Sequence, residues 1–155
     1  MASAGRAPWL RAVLVAAAVI ALDQLTKALI RGSLALGATR HLLPGVTLVH
    51  TTNSGVAFSL LSGSAVSVTL LALVVLAALI FFFARHSSQP LLWLATGMIA
   101  GGALGNLIDR LRIGAVTDFI KLPDWPAFNV ADSAITLGVI GFALVIARDG
   151  NRSSS

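Results

Sequence analysis

Residues 65 to 84 read "AVSVTLLALVVLAALIFFFA", an uninterrupted uncharged run that decides the fold. A helix needs about 20 apolar residues to cross a hydrocarbon core roughly 30 Å thick, and this run has that length. It stops at Arg85-His86, and "SSQP" then makes a turn. The next apolar run starts near Leu91 and continues to about Arg110. So short a connection makes the two helices an antiparallel hairpin. Apart from His50, no ionisable side chain falls between His41 and Arg85, and none falls between His86 and Asp109.

Two further runs complete the frame. Ala12 to Leu22 follows Arg6 and Arg11 and has the form of a signal-peptide core. Its pattern continues through Leu25, Leu29 and Ile30, so residues 9–30 are read as a retained span. The last run covers 129–147 and stops at Arg148-Asp149. The expected fold is therefore an all-α membrane protein with four transmembrane helices, at about 9–30, 65–84, 91–110 and 129–147, forming a single integral-membrane domain over 1–155. Composition agrees: 57% of residues are hydrophobic and 11% charged, against about 25% charged in soluble domains.

Other classes fall away on composition. The net charge of +5 is spread over scattered arginines, without the aromatic-studded basic patch of a nucleic-acid binder. There is no cysteine, which removes disulfides, thiolate metal sites and a cysteine nucleophile. The three histidines, His41, His50 and His86, lack the i,i+4 pairing of a helical metal site.

Between the spans lie two larger connections. Residues 34–62 include "VTLVHTT" followed by "NSG", a β-rich excursion ending at a turn signal. Residues 111–128 form a loop in which Pro123 and Pro126 interrupt any long helix. Trp9 and Trp93 stand near helix starts and Trp125 on the opposite side, as interfacial anchors do. Four spans put both termini on one side. Arg6, Arg11, Arg85, Arg148 and Arg152 share that side; Lys27, Arg31, Arg40, Arg110, Arg112 and Lys121 share the other. Five against six does not orient the chain.

The carboxylates carry the functional signal. All six acids are aspartates, and four of them, Asp23, Asp109, Asp118 and Asp132, fall at one depth once the spans are folded up and down. Ionisable groups at a membrane are expensive and need a reason. Asp23 and Lys27 are spaced i,i+4 and can pair on one helix face. Asn106, Asp109 and Arg110 share a face of the third span. Asp109 there suits an interhelical Asp–Arg clamp, and Arg110 is equally suited to hold a substrate backbone. Gly97, Gly101 and Gly105, with Gly102 beside them, form a close-packing stripe.

Asp118 and Asp132 are the sharper pair. Two close carboxylates in a poorly solvated site do not both ionise; they share a proton and can activate water against a carbonyl. Spacing alone leaves open this dyad and a pair of solvated interfacial acids. A Ser–Lys dyad would need Lys27 or Lys121, and no serine is singled out. A small proton-coupled transporter or channel is the alternative class. It would place polar groups near the midplane and often shows an internal repeat, and none is evident here.

The motifs "DQLTK" (Asp23 to Lys27), "NSGVAF" (Asn53 to Phe58), "GGALGNLIDR" (Gly101 to Arg110), "VTDF" (Val116 to Phe119) and "FNVADS" (Phe128 to Ser133) occur in this order. In that set the chain resembles the lipoprotein signal peptidase family, signal peptidase II, over nearly its whole length outside the tails. Ser59 departs from the glycine common there, and Ser54 and Val56 are minor variants. The resemblance implies an aspartic endopeptidase of the bacterial cytoplasmic membrane, with both termini cytoplasmic and the active site near the outer face. Its substrates would be diacylglyceryl-modified prolipoproteins, cut just before the lipobox cysteine. Asp118 and Asp132 would be catalytic. Asp23, Asn53, Asn106, Arg110 and Asn129 would shape or line the site, with Lys27 and Asp109 structural beside it. The family also implies an extracytoplasmic β-cradle, fitting residues 34–62, and a short periplasmic helix at roughly 119–128. It implies action without cofactor or metal, as a monomer among membrane lipids, and inhibition by globomycin-type cyclic peptides.

Overall fold

The computed structural model describes residues 6–54 and 65–153. In chain order the elements are helix α1 (Arg6–Ser33), strands β1 (Thr39–Leu43) and β2 (Val46–Asn53), helices α2 (Ala65–His86) and α3 (Leu92–Ile113), strand β3 (Val116–Lys121) and helix α4 (Val130–Ser153). Among the described residues three helical stretches are long and apolar enough to cross a membrane: Arg6–Ser33, Val66–His86 and Val130–Asp149.

The third expected span, α3, matches α2 at 22 residues but is less apolar, because glycines, Asn106 and Asp109 interrupt it. Its position explains that composition. It packs against α1, α2 and α4, and Ala95, Gly97, Gly101, Gly105 and Asn106 are among its many buried residues. A helix facing other helices in lipid gains from close backbone approach more than from bulk. A Cβ on Gly97 would sit 2.7 Å from the Ala12 carbonyl oxygen of α1, and one on Gly101 would sit 2.8 Å from that of Ala16. The glycine stripe therefore brings α3 against α1.

The sheet has order β1-β2-β3, all antiparallel. β1 and β2 form a hairpin across Pro44-Gly45, where Gly45 takes φ +79°, the left-handed position a Pro-Gly turn needs. These strands occupy part of the β-rich excursion expected at 34–62; its residues 55–62, including most of "NSGVAF", lie outside the described residues. A correction concerns the loop at 111–128. Its first half is β3, paired with β2, and the short helix expected at about 119–128 is absent. Val116, Thr117, Phe119 and Ile120 favour a strand, and the β2 edge gives them backbone partners. Pro123 and Pro126 then leave a turn, with Asp124 at φ 55°, before Phe128 pairs back to Ile120.

At the terminal end of the bundle the core is apolar. Phe83 and Leu92 are fully buried with Ala12, and Trp9 stacks edge-on against Phe83 at 4.8 Å. The opposite end is polar, with Asp23, Lys27, Asn106, Asp109, Asp118 and Asn129 buried there.

The glycine contacts give a comparison. Gly101→Val should lower thermal stability by about 1–3 kcal/mol through overpacking against α1. Gly141→Ala in α4 should leave it nearly unchanged, because a Cβ there meets only Ala95 Cβ at 3.7 Å. Equal melting shifts for both variants would remove the packing role of the stripe.

Candidate active site

The polar end begins with Lys27. Its ammonium is fully buried and lies 2.8 Å from Asp23 Oδ2, one helical turn earlier in α1, and 3.3 Å from Asp109 Oδ2 of α3. It also donates to Asn106 Oδ1 at 2.9 Å. Gln24 Nε2 ties the same group together, donating to Asp109 Oδ1 and to the Gly105 carbonyl, each at 3.1 Å. Gly105 must be small, since its Cβ would approach Asp23 Oδ2 to 2.7 Å.

From this centre the chain is pinned at two places. Asp109 Oδ2 accepts the Thr117 backbone N–H at 2.9 Å, and Arg31 Nη1 donates to Thr117 Oγ1 at 3.0 Å. The geometry is possible because α3 ends at Gly114, whose φ of 76° turns the chain back at once. β3 is thereby fixed one residue before Asp118. The second place is the start of α4. Asp23 Oδ1 accepts the Ala131 N–H at 2.9 Å, satisfying one of the orphan donors of the first turn. Asn129 caps the same turn: its Oδ1 accepts the Asp132 N–H at 2.9 Å while Asp132 Oδ2 accepts the Asn129 N–H at 3.3 Å. This is a reciprocal capping box, with Asp132 in the place more often held by Glu or Gln.

The two pinned segments bring Asp118 and Asp132 to one polar cluster. Asn129 Nδ2 donates to Asp118 Oδ1 at 2.7 Å and to Asn106 Oδ1 at 3.2 Å. Asn106 Nδ2 donates to Asp132 Oδ1 at 2.8 Å. Asn53, at the end of β2, adds a hydrogen bond to Asp118, whose neighbour across the ladder is Thr51. Burial, and secondly the charge of Asp132, raise the Asp118 carboxyl to about 6 against the opposing effect of hydrogen bonds from Asn129 and Asn53 and of the Lys27 charge. Asp118 is buried, whereas Asp132 is half-buried and reachable. Asp118 thus holds a proton to higher pH than an ordinary carboxyl, and Asp132 accepts two N–H bonds, an arrangement suited to moving protons at a carbonyl.

The remaining candidates divide. Asp23 contacts neither Asp118 nor Asp132 through its side chain; it pairs with Lys27 and caps α4. Asp109 joins Lys27 and stands 3.6 Å from Arg31, so its interhelical cationic partners come from α1. Arg110 reaches back to the Asn106 carbonyl at 3.5 Å and lines a cleft of about 270 Å³ with Val66, Thr69 and Leu70 of α2. Asp124 is exposed in its turn. Sequence reasoning missed Gln24, Arg31 and Thr117. Asp23, Lys27 and Arg31 recur every four residues, a stripe that could have flagged Arg31; Thr117 acts largely through its backbone and left no signal. The transporter reading finds no support, because the buried acids gather at one end of the helices.

Comparison with known proteins follows the same line. Two solved structures, each described as a bacterial membrane enzyme, superpose with TM-scores of 0.80 and 0.81 at 32% identity. The first match covers 89% of this chain and 93% of the other. The fold is that of a helical membrane enzyme. Residues 15–148 match the model of the family described as signal peptidase (SPase) II. A lipoprotein signal peptidase of Syntrophomonas wolfei is 44% identical over 135 residues, 86% of this chain and 91% of the relative. One from Paraburkholderia phytofirmans is 41% identical, covering 90% and 84%. The chain belongs to the signal peptidase II family, a family of peptidases.

Two outcomes test the geometry. Lys27→Met leaves Asp23 and Asp109 buried without their main cation and should cost roughly 3–5 kcal/mol of stability; a melting shift no larger than that of a surface variant would contradict it. The second concerns pH. Asp118 holds its proton to about 6 when folded, against an ordinary 3.8. Its contribution to stability is therefore full at acidic pH and is lost as pH rises through about 6. Asp118→Asn should gain stability relative to the parent as pH rises through this window. A constant difference between the two melting curves would remove the shift.

Proposed function

We propose that this chain is an aspartic endopeptidase in which Asp118 and Asp132 cleave the signal peptide from diacylglyceryl-modified prolipoproteins, just before the lipobox cysteine. Removal of signal peptides from prolipoproteins is the activity of the family to which it belongs. The observation that carries the aspartic reading is the bonded pair Asn129 and Asn106, whose side-chain amides donate to the Asp118 and Asp132 carboxylates respectively.

The chemistry runs through these two acids. Water held between them attacks the carbonyl carbon of the scissile amide and gives its proton to the Asp132 carboxylate. Asp118 donates its proton to the carbonyl oxygen, so no free oxyanion builds up in a poorly solvated site. When the tetrahedral species collapses, the C–N bond breaks and Asp132 passes its proton to the leaving amine. The hydroxyl that becomes the new carboxyl carbonyl returns its proton to Asp118, and the pair is restored. Asn106 and Asn129 hold both carboxyl groups throughout, and neither needs to move.

The membrane setting follows from the same reading. α3 crosses the bilayer with α1, α2 and α4, shielded by them, so the frame has four spans in a bacterial cytoplasmic membrane. Both termini are then cytoplasmic and the acid pair lies near the outer face, where a lipid-anchored cysteine presents its peptide bond. Asn53 bonds Asp118 from β2, and Arg110 lines the neighbouring α2–α3 cleft; both suit contacts to the substrate backbone. The protein works as a monomer, the lipid tails of its substrate stay in the bilayer, and globomycin-type cyclic peptides compete for the site.

Incubation of the purified protein with a diacylated prolipoprotein should release the signal peptide. Asp118→Asn and Asp132→Asn should each reduce cleavage by about 10²–10⁴-fold while the protein still melts cooperatively. Cleavage that survives either substitution in a folded variant would overturn the dyad.

A further inference from the structure

Two recesses adjoin at the terminal end of α3 and α4, about 22 Å along α3 from Asn106 at the helical rise of 1.5 Å per residue. One is an apolar groove of about 180 Å³ whose lining includes Leu94, Met98, Leu137 and Gly141. The other, of about 110 Å³, is bordered by Gln89 and Asp149. Arg148 lines both. Neither belongs to the acid layer described above.

The groove is kept open by a glycine that helix packing does not require. At Gly138 a Cβ would come within 2.7 Å of Ile99 Cγ1, so α3 demands glycine there. At Gly141 a Cβ would meet only Ala95 Cβ at 3.7 Å, an ordinary contact. The missing side chain leaves a furrow in the membrane-facing wall. Its volume equals about six waters' share of liquid, enough for a stretch of acyl chain. A signal-peptide helix, about 10–12 Å across with its side chains, is far too wide for it. Such a helix also brings a cationic leading segment, which Arg148 would repel.

The polar end selects the head group. Arg148 is exposed and offers a cation for a phosphate. Gln89 Nε2 donates to Asp149 Oδ2 at 2.6 Å, while Gln89 Oε1 is buried with no hydrogen-bond partner. The recess therefore presents one exposed cation and one exposed carboxylate, while the Gln89 acceptor is closed to solvent. A head group carrying a phosphate anion and an ammonium with N–H donors answers both charges. A choline head has the charges without the donors, and a glycerol head has donors without the second charge.

We propose that this double recess is a binding site for phosphatidylethanolamine, with the phosphate on Arg148, the ammonium on Asp149, and an acyl chain in the furrow over Gly141. The assignment rests on α3 and α4 crossing the bilayer side by side.

Native mass spectrometry of the full chain in detergent, titrated with phosphatidylethanolamine, phosphatidylcholine or phosphatidylglycerol of matched acyl chains, tests it. Phosphatidylethanolamine should bind about tenfold more tightly than phosphatidylcholine, the effect of one charge-assisted hydrogen bond. Asp149→Asn should reduce that preference to near one, and Gly141→Leu should weaken all three lipids. Each sample is also assayed for prolipoprotein cleavage and melting, so loss of the membrane-peptidase reading is seen separately. Equal binding of the three lipids by an active wild-type enzyme would overturn the site. So would tighter binding of phosphatidylglycerol, or an undiminished preference in Asp149→Asn.

Discussion

Lys27 is the constraint on which the rest depends. A fully buried ammonium in a bilayer-embedded bundle cannot stand alone, and here it meets two carboxylates and an amide oxygen drawn from α1 and α3. Each of those groups has a second commitment. Asp23 caps α4, Asp109 holds β3, and Asn106 donates to Asp132. One cation therefore fixes the relative placement of two helices, a strand and the start of a third helix. Ion pairs of this kind seldom add net stability over an apolar core. Their return here is geometric, because each bond specifies one arrangement of the chain around the acid pair.

The same logic explains why a helix-capping motif carries a proposed catalytic group. Asp132 answers the orphan N–H groups at the start of α4 and is held in place by the cap. Asn129 completes the cap while its amide NH₂ holds Asp118. A helix start at the end of the loop thus orders both acids without a dedicated scaffold. The glycines of α3 serve the same end, since Gly105 leaves room for Asp23 to reach across.

Much of this was legible in the sequence, for identifiable reasons. The apolar runs place each helix start within about three residues, because length and composition are coupled in a lipid-crossing segment; the last helix runs past the expected 147 to Ser153. The acids fell into one layer as soon as the spans were folded up and down. The i,i+4 spacing of Asp23 and Lys27 is an ion pair at 2.8 Å. Other features were hidden. The strand β3, in a segment expected as a loop with a short helix, is hidden from local pattern because its pairing partner lies some seventy residues earlier on β2. The cations facing Asp109 come from α1, since helix rotation, which decides its partners, is not written in spacing. Thr117 contributes a backbone N–H, which no residue type advertises.

In the proposed pair Asp118 is the acid that holds its proton to the higher pH. Infrared difference spectroscopy of the purified protein, following the protonated carboxyl stretch against pH, addresses that directly. A band absent from Asp118→Asn should persist in the parent well above the ordinary carboxyl range and vanish with a midpoint of about 6, moving lower in Asp132→Asn. A midpoint at the ordinary 3.8, unmoved by Asp132→Asn, would contradict it.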